Sequence, residues 1–441
     1  MNSRKKTVSV LTLGCRVNQY ESDYIIQTLT SRGFETVPFG VPADVTVVNT
    51  CTVTAESDRK SRQMIRRAVN ASPDGAVIVT GCYAETGTDS IRNIDGVTYL
   101  TGNARKSHIP DAIDRVLDGI LDGETMESVD EAPFDRMILT SPERTRSYIK
   151  IEDGCDNKCA YCIIPAARGK VRSKALCDIL TEARLLRDAG CNEVILTGIE
   201  TAAYGRDFEK EPYYGYSLAS VIEEVERIGF ERIGLGSLEP TVMRGEFAPR
   251  IAQTRALMPH FHLSVQSGST GVLNRMRRRY NRGMLDESVA RLKEHVPGVT
   301  LSADIIVGFP GETEEEFEQT VDFIKQVRFL HLHIFPYSIR EGTEAALMKD
   351  QIPSAVKSER LRVLSEVQSG IKRELLDAYI ESHRTTPVRV LVEKVTDGVA
   401  EGHSEHFVEV KFPINGDAVG SICAVCLDGH DGNVCFGECQ K

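Results

Sequence analysis

Three thiols fall within eight residues in the stretch Cys155-Asp156-Asn157-Lys158-Cys159-Ala160-Tyr161-Cys162. Thiolates are soft ligands that suit iron–sulfur clusters or zinc. A zinc ion or a four-iron cubane ordinarily takes four protein ligands, so a loop with three leaves one metal position open to another molecule. Three more cysteines share a different pattern: Leu13-Gly14-Cys15, Asn49-Thr50-Cys51 and Thr80-Gly81-Cys82. Each thiol follows a short apolar run, and the separations of 36 and 31 residues match one βαβ unit of about 30 residues or more. Cysteines that merely filled a core would sit in mid-strand. Placed just past strand ends, these three should gather at the carboxyl edge of one sheet, where such folds bind ligands.

The elements that must position them can be read from periodicity. Val8–Leu13, Val45–Val48 and Ala76–Val79 are strand-length apolar runs. Between them, Tyr20–Ser31 and Ser57–Asn70 carry apolar residues at helical spacing. The order βαβαβ predicts a parallel, doubly wound sheet. A helix over Ile109–Leu121 ends this unit, and Gly123–Pro142, acidic and aperiodic, reads as a linker. From Ser147 the alternation resumes, with strands expected at 147–151, 193–196, 232–235, 261–265, 301–307 and 330–335. Helices are expected at 179–189, 217–228, 285–295 and 313–327. Six βα units are too few to close an eight-fold barrel, so an open partial barrel is expected, with the three-thiol loop at its carboxyl end. Ser354–Ser382 reads as one long amphipathic helix. After Pro387 the period becomes two, with strands at 388–392, 407–411, 422–427 and 434–436, which predicts a small β-barrel.

At 441 residues with a net charge of −11, the chain has room for about three domains. The apolar run after the basic start is too short for a signal peptide or a membrane span, so a cytoplasmic protein is expected. Twelve cysteines in that compartment read as metal ligands or free thiols. Basic residues are nevertheless gathered locally: Arg59, Lys60, Arg62, Arg66 and Arg67; then Arg168, Lys170, Arg172 and Lys174; then Arg275, Arg277, Arg278, Arg279 and Arg282. Such runs suit phosphate contacts.

The three-thiol loop resembles the CxxxCxxC loop of the radical S-adenosylmethionine (SAM) enzymes, with Tyr161 at that family's usual aromatic position. The three spaced cysteines, with Gln266-Ser267-Gly268-Ser269, the run from Asp304 to Thr313 and Phe335-Pro336-Tyr337-Ser338, extend the resemblance over nearly the whole chain, to the methylthiotransferases. Cys15-Arg16-Val17-Asn18-Gln19-Tyr20-Glu21-Ser22 is most similar to the branch acting on N6-threonylcarbamoyladenosine in tRNA. The resemblance implies a Rossmann-like amino-terminal domain (1–122), a linker (123–142), a partial (βα)6 radical-SAM barrel (143–382) and a TRAM-like barrel (383–441). It implies two 4Fe–4S clusters, one on Cys155, Cys159 and Cys162 and an auxiliary one on Cys15, Cys51 and Cys82. Two SAM molecules are then used per turnover. One yields a 5′-deoxyadenosyl radical that removes hydrogen from adenine C2, and the other supplies the methyl group. Tyr161, Gly198 and Glu239 are the candidate SAM contacts. Lys60, Arg66, Arg277 and Arg278 are the candidate contacts to tRNA at its anticodon arm. A flavodoxin or ferredoxin as electron donor and a monomeric state are expected.

Other readings remain open at this point. Sister branches act on isopentenyl-adenosine tRNA or on a ribosomal-protein aspartate, and a zinc-containing RNA-binding protein without catalysis would also carry thiols. Residues 384–441 hold nine acidic and five basic groups, a poor charge balance for an RNA-gripping module. Cys423, Cys426, Cys435 and Cys439 could hold zinc, although strand pairing would turn Cys423 and Cys426 to opposite faces. Cys177 and Cys191 are expected to be structural thiols.

Overall fold

The computed structural model describes residues 4–210 and 212–440. The amino-terminal sheet contains β1 (Thr7–Thr12), β2 (Glu35–Thr36), β3 (Val45–Thr50), β4 (Ala76–Gly81), β5 (Tyr99–Thr101) and β6 (Gly123–Thr125). Its order is β2-β1-β3-β4-β5-β6, with every pairing parallel. Strand β3 is buried on both faces, as a central parallel strand covered by helices must be. The order reverses between β1 and β3, which is the switch point where doubly wound sheets open a crevice. One expectation needs correcting. The stretch read as a linker begins with β6, the sixth strand of the sheet, and farther on its Val129, Met137 and Leu139 are buried. A three-residue exposed strand leaves no periodicity to detect.

The second unit contains β7 (Ser147–Lys150), a short antiparallel pair β8 (Glu152–Asp153) and β9 (Arg172–Ser173), then β10 (Glu193–Thr197), β11 (Arg232–Leu235), β12 (His260–Gln266), β13 (Thr300–Val307) and β14 (His331–Pro336). The six long strands form two parallel three-stranded sheets, β11-β10-β7 and β12-β13-β14. Only isolated bridges, Ile233 to Leu257 and Leu238 to Leu263, join them among the described residues, and β7 and β14 do not pair, so this is an open half-barrel rather than a closed ring. Helices Leu176–Asp188, Leu218–Glu226, Arg282–His295 and Glu314–Val327 cover its outside. The largest buried apolar cluster lies between them and the strands.

Helix Ser354–Ser382 leads to a closed barrel of β15 (Val388–Thr396), β16 (Val399–Ser404), β17 (Glu409–Pro413), β18 (Ile422–His430) and β19 (Cys435–Cys439), in the order β15-β16-β17-β19-β18. Its four cysteines do not converge. Cys435 is in the barrel core, Cys423 and Cys439 are half-buried, and Cys426 is exposed on the outside. Of the two thiols expected to be structural, Cys191 is buried and donates to Glu193 O, whereas Cys177 is exposed. Among the described residues no helix is long and apolar enough to cross a membrane.

Candidate active site between two sets of thiols

Cys15, Cys51 and Cys82 follow the carboxyl ends of the adjacent strands β1, β3 and β4. Cys15 is the residue just before helix Arg16–Ser31, and Cys82 opens helix Cys82–Thr86. Buried polar side chains hold the loops. Asn18 Nδ2 donates to Leu13 O at 2.7 Å and to Thr50 O at 2.9 Å, and Ser61 Oγ donates to Cys51 O at 2.9 Å. Cys51 and Cys82 are buried, whereas Cys15 has exposed surface. Burial pushes the Cys15 and Cys51 thiols up, and each is raised further by its neighbours in the trio.

The second set lies in the loop between β8 and β9. Cys155 N donates to Gly169 O and Ala160 N to Met276 O, both at 3.0 Å, which shapes the loop around its thiols. Burial raises Cys155 to about 12 and Cys162 to about 11. Among the described residues no three Cys, His, Asp or Glu side chains converge as they would on a single metal ion. Within each trio the thiols are near enough to raise one another, Cys82 acting on Cys15 and Cys51, and Cys159 and Cys162 on Cys155, and soft thiolates are a donor set that fits an iron–sulfur cluster.

Beside Cys155 the tops of the barrel strands place three carboxylates that sequence reading largely missed. Asn157 Nδ2 donates to Glu239 Oε2 at 3.2 Å and to Glu200 Oε2 at 3.4 Å, and Glu200 N donates to Glu152 Oε2 at 2.8 Å. Glu152 Oε1 and Glu200 Oε1 are buried without a partner. Burial, reinforced by Glu239, raises Glu200 to about 7, and burial lifts Glu152 well above the carboxylate range. Burial alone favours the neutral form of these carboxyls, and a cationic ligand would both hold them ionised and satisfy the orphaned oxygens. Gly198 borders the same basin: a Cβ there would lie 2.6 Å from Glu152 Oε2, so only glycine keeps that space clear. Glu239, a candidate from its strand end, shares this basin with Glu152, Glu200 and Asn157. Glu200, two residues past Gly198, was the one available signal.

Tyr161 lies elsewhere. Its ring meets Phe309 edge-on at 6.3 Å, and it lines a cavity of about 260 Å³ with Val53, Gln266, Asp304, Phe335 and Tyr337. Val53 comes from the loop after Cys51 and Tyr161 from the loop before Cys162, so both domains and both thiol-bearing loops contribute to the lining of this cavity. Phe335 and Val53 are exposed in it. Gln266 sits at a register shift in β12 with φ of +70°, a left-handed backbone that costs about 1–3 kcal/mol and clusters at functional sites. Arg340 fastens the two walls by donating to Asp58 and Thr52 across the domain boundary.

The basic runs sort differently from expectation. In the densest group Arg275 pairs with Glu316, Arg277 with Glu344 and Arg282 with Asp286, while Arg278 turns inward onto Cys159. Arg168 and Lys174 are fully buried in ion pairs. Arg278 is therefore corrected from a phosphate contact to a neighbour of the three-thiol loop, and Arg277 is already neutralised. Lys60 and Arg66, in contrast, are exposed with no ion pair among the described residues.

Residues 7–102 match the model of uncharacterized protein family UPF0004, and residues 149–324 match that of the Radical SAM superfamily. The threonylcarbamoyladenosine tRNA methylthiotransferase MtaB of Bacillus subtilis is 38% identical over 95% of this chain and 93% of its own length. The Aquifex aeolicus protein of the same name is 36% identical over 90% and 97%. The tRNA-2-methylthio-N(6)-dimethylallyladenosine synthase of Acetivibrio thermocellus is 31% identical over 96% and 89%. Among solved structures, the radical S-adenosylmethionine methyltransferase TsrM from Kitasatospora setae matches in fold, with a TM-score of 0.53 over 87% of this chain and 78% of that one at 13% identity.

Proposed function

The chain belongs to the radical-SAM methylthiotransferases, in the branch acting on threonylcarbamoyladenosine tRNA, and on that premise we propose how its parts divide the reaction. The enzyme converts N6-threonylcarbamoyladenosine in tRNA to its 2-methylthio form. Cys155, Cys159 and Cys162 hold the radical-SAM 4Fe–4S cluster, and Cys15, Cys51 and Cys82 hold an auxiliary one. The bound clusters and SAM supply the one-electron, sulfur and methyl chemistry. What remains for the chain is to bind, to orient and to exclude water.

Glu152, Glu200 and Glu239, with Asn157 bridging two of them, receive the cationic end of SAM beside Cys155, and Gly198 leaves its backbone room. The adenosine, beside the anticodon, enters the cavity between Val53 and Phe335, where an apolar and aromatic lining can stack on a base. Gln266 and Asp304 meet its polar edge. Lys60 and Arg66 grip phosphates of the anticodon arm, and the terminal barrel serves as a TRAM-like module through shape and hydrogen bonding, its charge being unfavourable. A flavodoxin or ferredoxin supplies electrons, and the protein works as a cytoplasmic monomer.

One observation supports this division above the others: the loops that carry the two thiol trios, through Val53 and Thr54 after Cys51 and through Tyr161 before Cys162, line one shared cavity. Replacing Cys15, Cys51 or Cys82 with Ala should abolish methylthiolation while SAM cleavage to 5′-deoxyadenosine continues. Loss of both activities in a folded variant that keeps its radical-SAM cluster would overturn the division.

A further inference from the structure

Each thiol set receives one guanidinium. Arg168 Nε donates to Cys82 Sγ at 3.2 Å, and Arg278 Nη1 donates to Cys159 Sγ at 3.3 Å. Neither contact is casual. Arg168 has no exposed surface, and its fork is fully engaged: Nη1 meets Glu21 Oε1 at 2.6 Å and Asp153 at 3.3 Å, while Nη2 meets Asn18 Oδ1. Arg278 is clamped by Tyr280, whose hydroxyl accepts from Nε at 2.8 Å and whose ring lies 4.7 Å below the guanidinium, and by Ser264 O at 3.3 Å. Both arginines come from the half-barrel. Arg168 closes helix Ile164–Arg168, which begins two residues after Cys162. The helix leaving one thiol loop therefore delivers its last side chain to the other thiol set.

The surroundings of Arg168 leave it charge to spare. Lys106 Nζ and Lys150 Nζ reach Glu21 at 2.5 and 2.9 Å, and Lys150 also reaches Asp153 at 2.9 Å. Arg172 adds a longer contact to Asp153 at 3.8 Å. Two carboxylates thus serve three fully buried cations at direct distance, and a Cys82 thiolate supplies a further negative partner. Hydrogen bonds to a cluster's sulfur ligands favour its reduced, more negative state, because they draw electron density from the sulfur.

We propose that Arg168 and Arg278 are a matched pair of positioning residues, each setting the reduction potential of the one cluster whose ligand it touches. The proposal rests on the two-cluster reading above. Arginine suits the task because a planar fork can hold carboxylate, amide and thiolate together, which a lysine point charge does not reproduce.

The test is an anaerobic redox titration followed by EPR, on full-length protein. Arg168→Gln and Arg168→Lys are placed in a Cys155→Ala, Cys159→Ala, Cys162→Ala background, which isolates the auxiliary cluster. Arg278→Gln and Arg278→Lys are placed in a Cys15→Ala, Cys51→Ala, Cys82→Ala background, which isolates the other. Each Gln variant should lower its own cluster's midpoint by at least a tenfold change in the reduced-to-oxidised ratio, 59 mV for one electron, and each Lys variant should fall between Gln and wild type. In protein carrying both clusters, the partner cluster's potential should not move. If Arg168→Gln fails to fold, Arg168→Lys and the Arg278 pair decide the matter by the same criterion. Loaded, folded variants that titrate at wild-type potentials would overturn the proposal, as would a common shift of both clusters whichever arginine is removed. Wild-type protein that takes up no iron would instead remove the two-cluster reading itself, and this proposal with it.

Discussion

Gly14 precedes Cys15 with φ of +98°, and a Cβ built there would lie 2.8 Å from both Cβ and Sγ of Cys51. Gly14→Ala therefore carries two costs. The left-handed backbone costs an L-residue about 1–2 kcal/mol, and forcing a methyl into a packed site adds about 1–3 kcal/mol. The sum, about 2–5 kcal/mol, falls within a domain stability of about 5–15 kcal/mol, so the fold should survive. The thiol basin should not. Ordinary contact begins at 3.4 Å, so Cys51 must retreat by at least about 0.6 Å. Turning the side chain moves Sγ but not Cβ, so the Cys51 backbone itself must shift against the Ser61 hydroxyl that holds it, at 3.3 Å from Cys51 N and 2.9 Å from Cys51 O, and carry its thiol out of place. Anaerobic reconstitution should then give about four irons where wild type binds about eight. SAM cleavage should continue and methylthiolated tRNA should disappear. Gly33→Ala is the control, since φ there is +90° but nothing lies within 4 Å. It incurs the strain without the collision and should load fully. Gly14→Ala protein with about eight irons and wild-type methylthiolation would refute the reasoning.

Two further outcomes follow from side chains away from the thiols. Lys60→Glu with Arg66→Glu should weaken tRNA binding and reduce the slope of log affinity against log salt by about one per contact, whereas Arg277→Glu should change the slope little, because Glu344 already neutralises that arginine. Filter binding across a salt series checks both, and equal effects would contradict the assignment. Burial raises Asp23 from 3.8 to about 6 against a hydrogen bond from Gln19. The folded state then holds more protons than the unfolded one between about pH 4 and 6, so stability falls as pH rises through that window. Asp23→Asn should stabilise by at most about 3 kcal/mol at pH 7.5 and by less at pH 5. Urea melts at the two pH values check it, and an equal gain at both would count against the burial argument.

The strands that carry the thiols could be read directly, because central parallel strands are apolar on both faces and stop at Gly or Thr just before each cysteine. The long helix Ser354–Ser382 was equally plain from its apolar stripe. Short edge strands were not. Glu35–Thr36 and Gly123–Thr125 are two and three exposed residues, and Val399–Ser404 carries Glu, Gly and His in place of an alternating pattern. The inward turn of Arg168 could not be foreseen, since its partner Glu21 lies 147 residues away in another domain. A run of basic residues reads as a phosphate contact until tertiary carboxylates claim its members, and at Arg275, Arg277 and Arg282 they do. The carboxylate basin had the same difficulty, because Glu152, Glu200 and Glu239 come from three different strand ends.

The central claim is that this chain places a methylthio group on threonylcarbamoyladenosine in tRNA. Nucleoside analysis of tRNA from a strain lacking the gene, set beside the same strain complemented with the wild-type gene, tests it most directly. The deletion strain should accumulate N6-threonylcarbamoyladenosine without its 2-methylthio form, and complementation should restore that form. Unchanged 2-methylthio content in the deletion strain would contradict the claim.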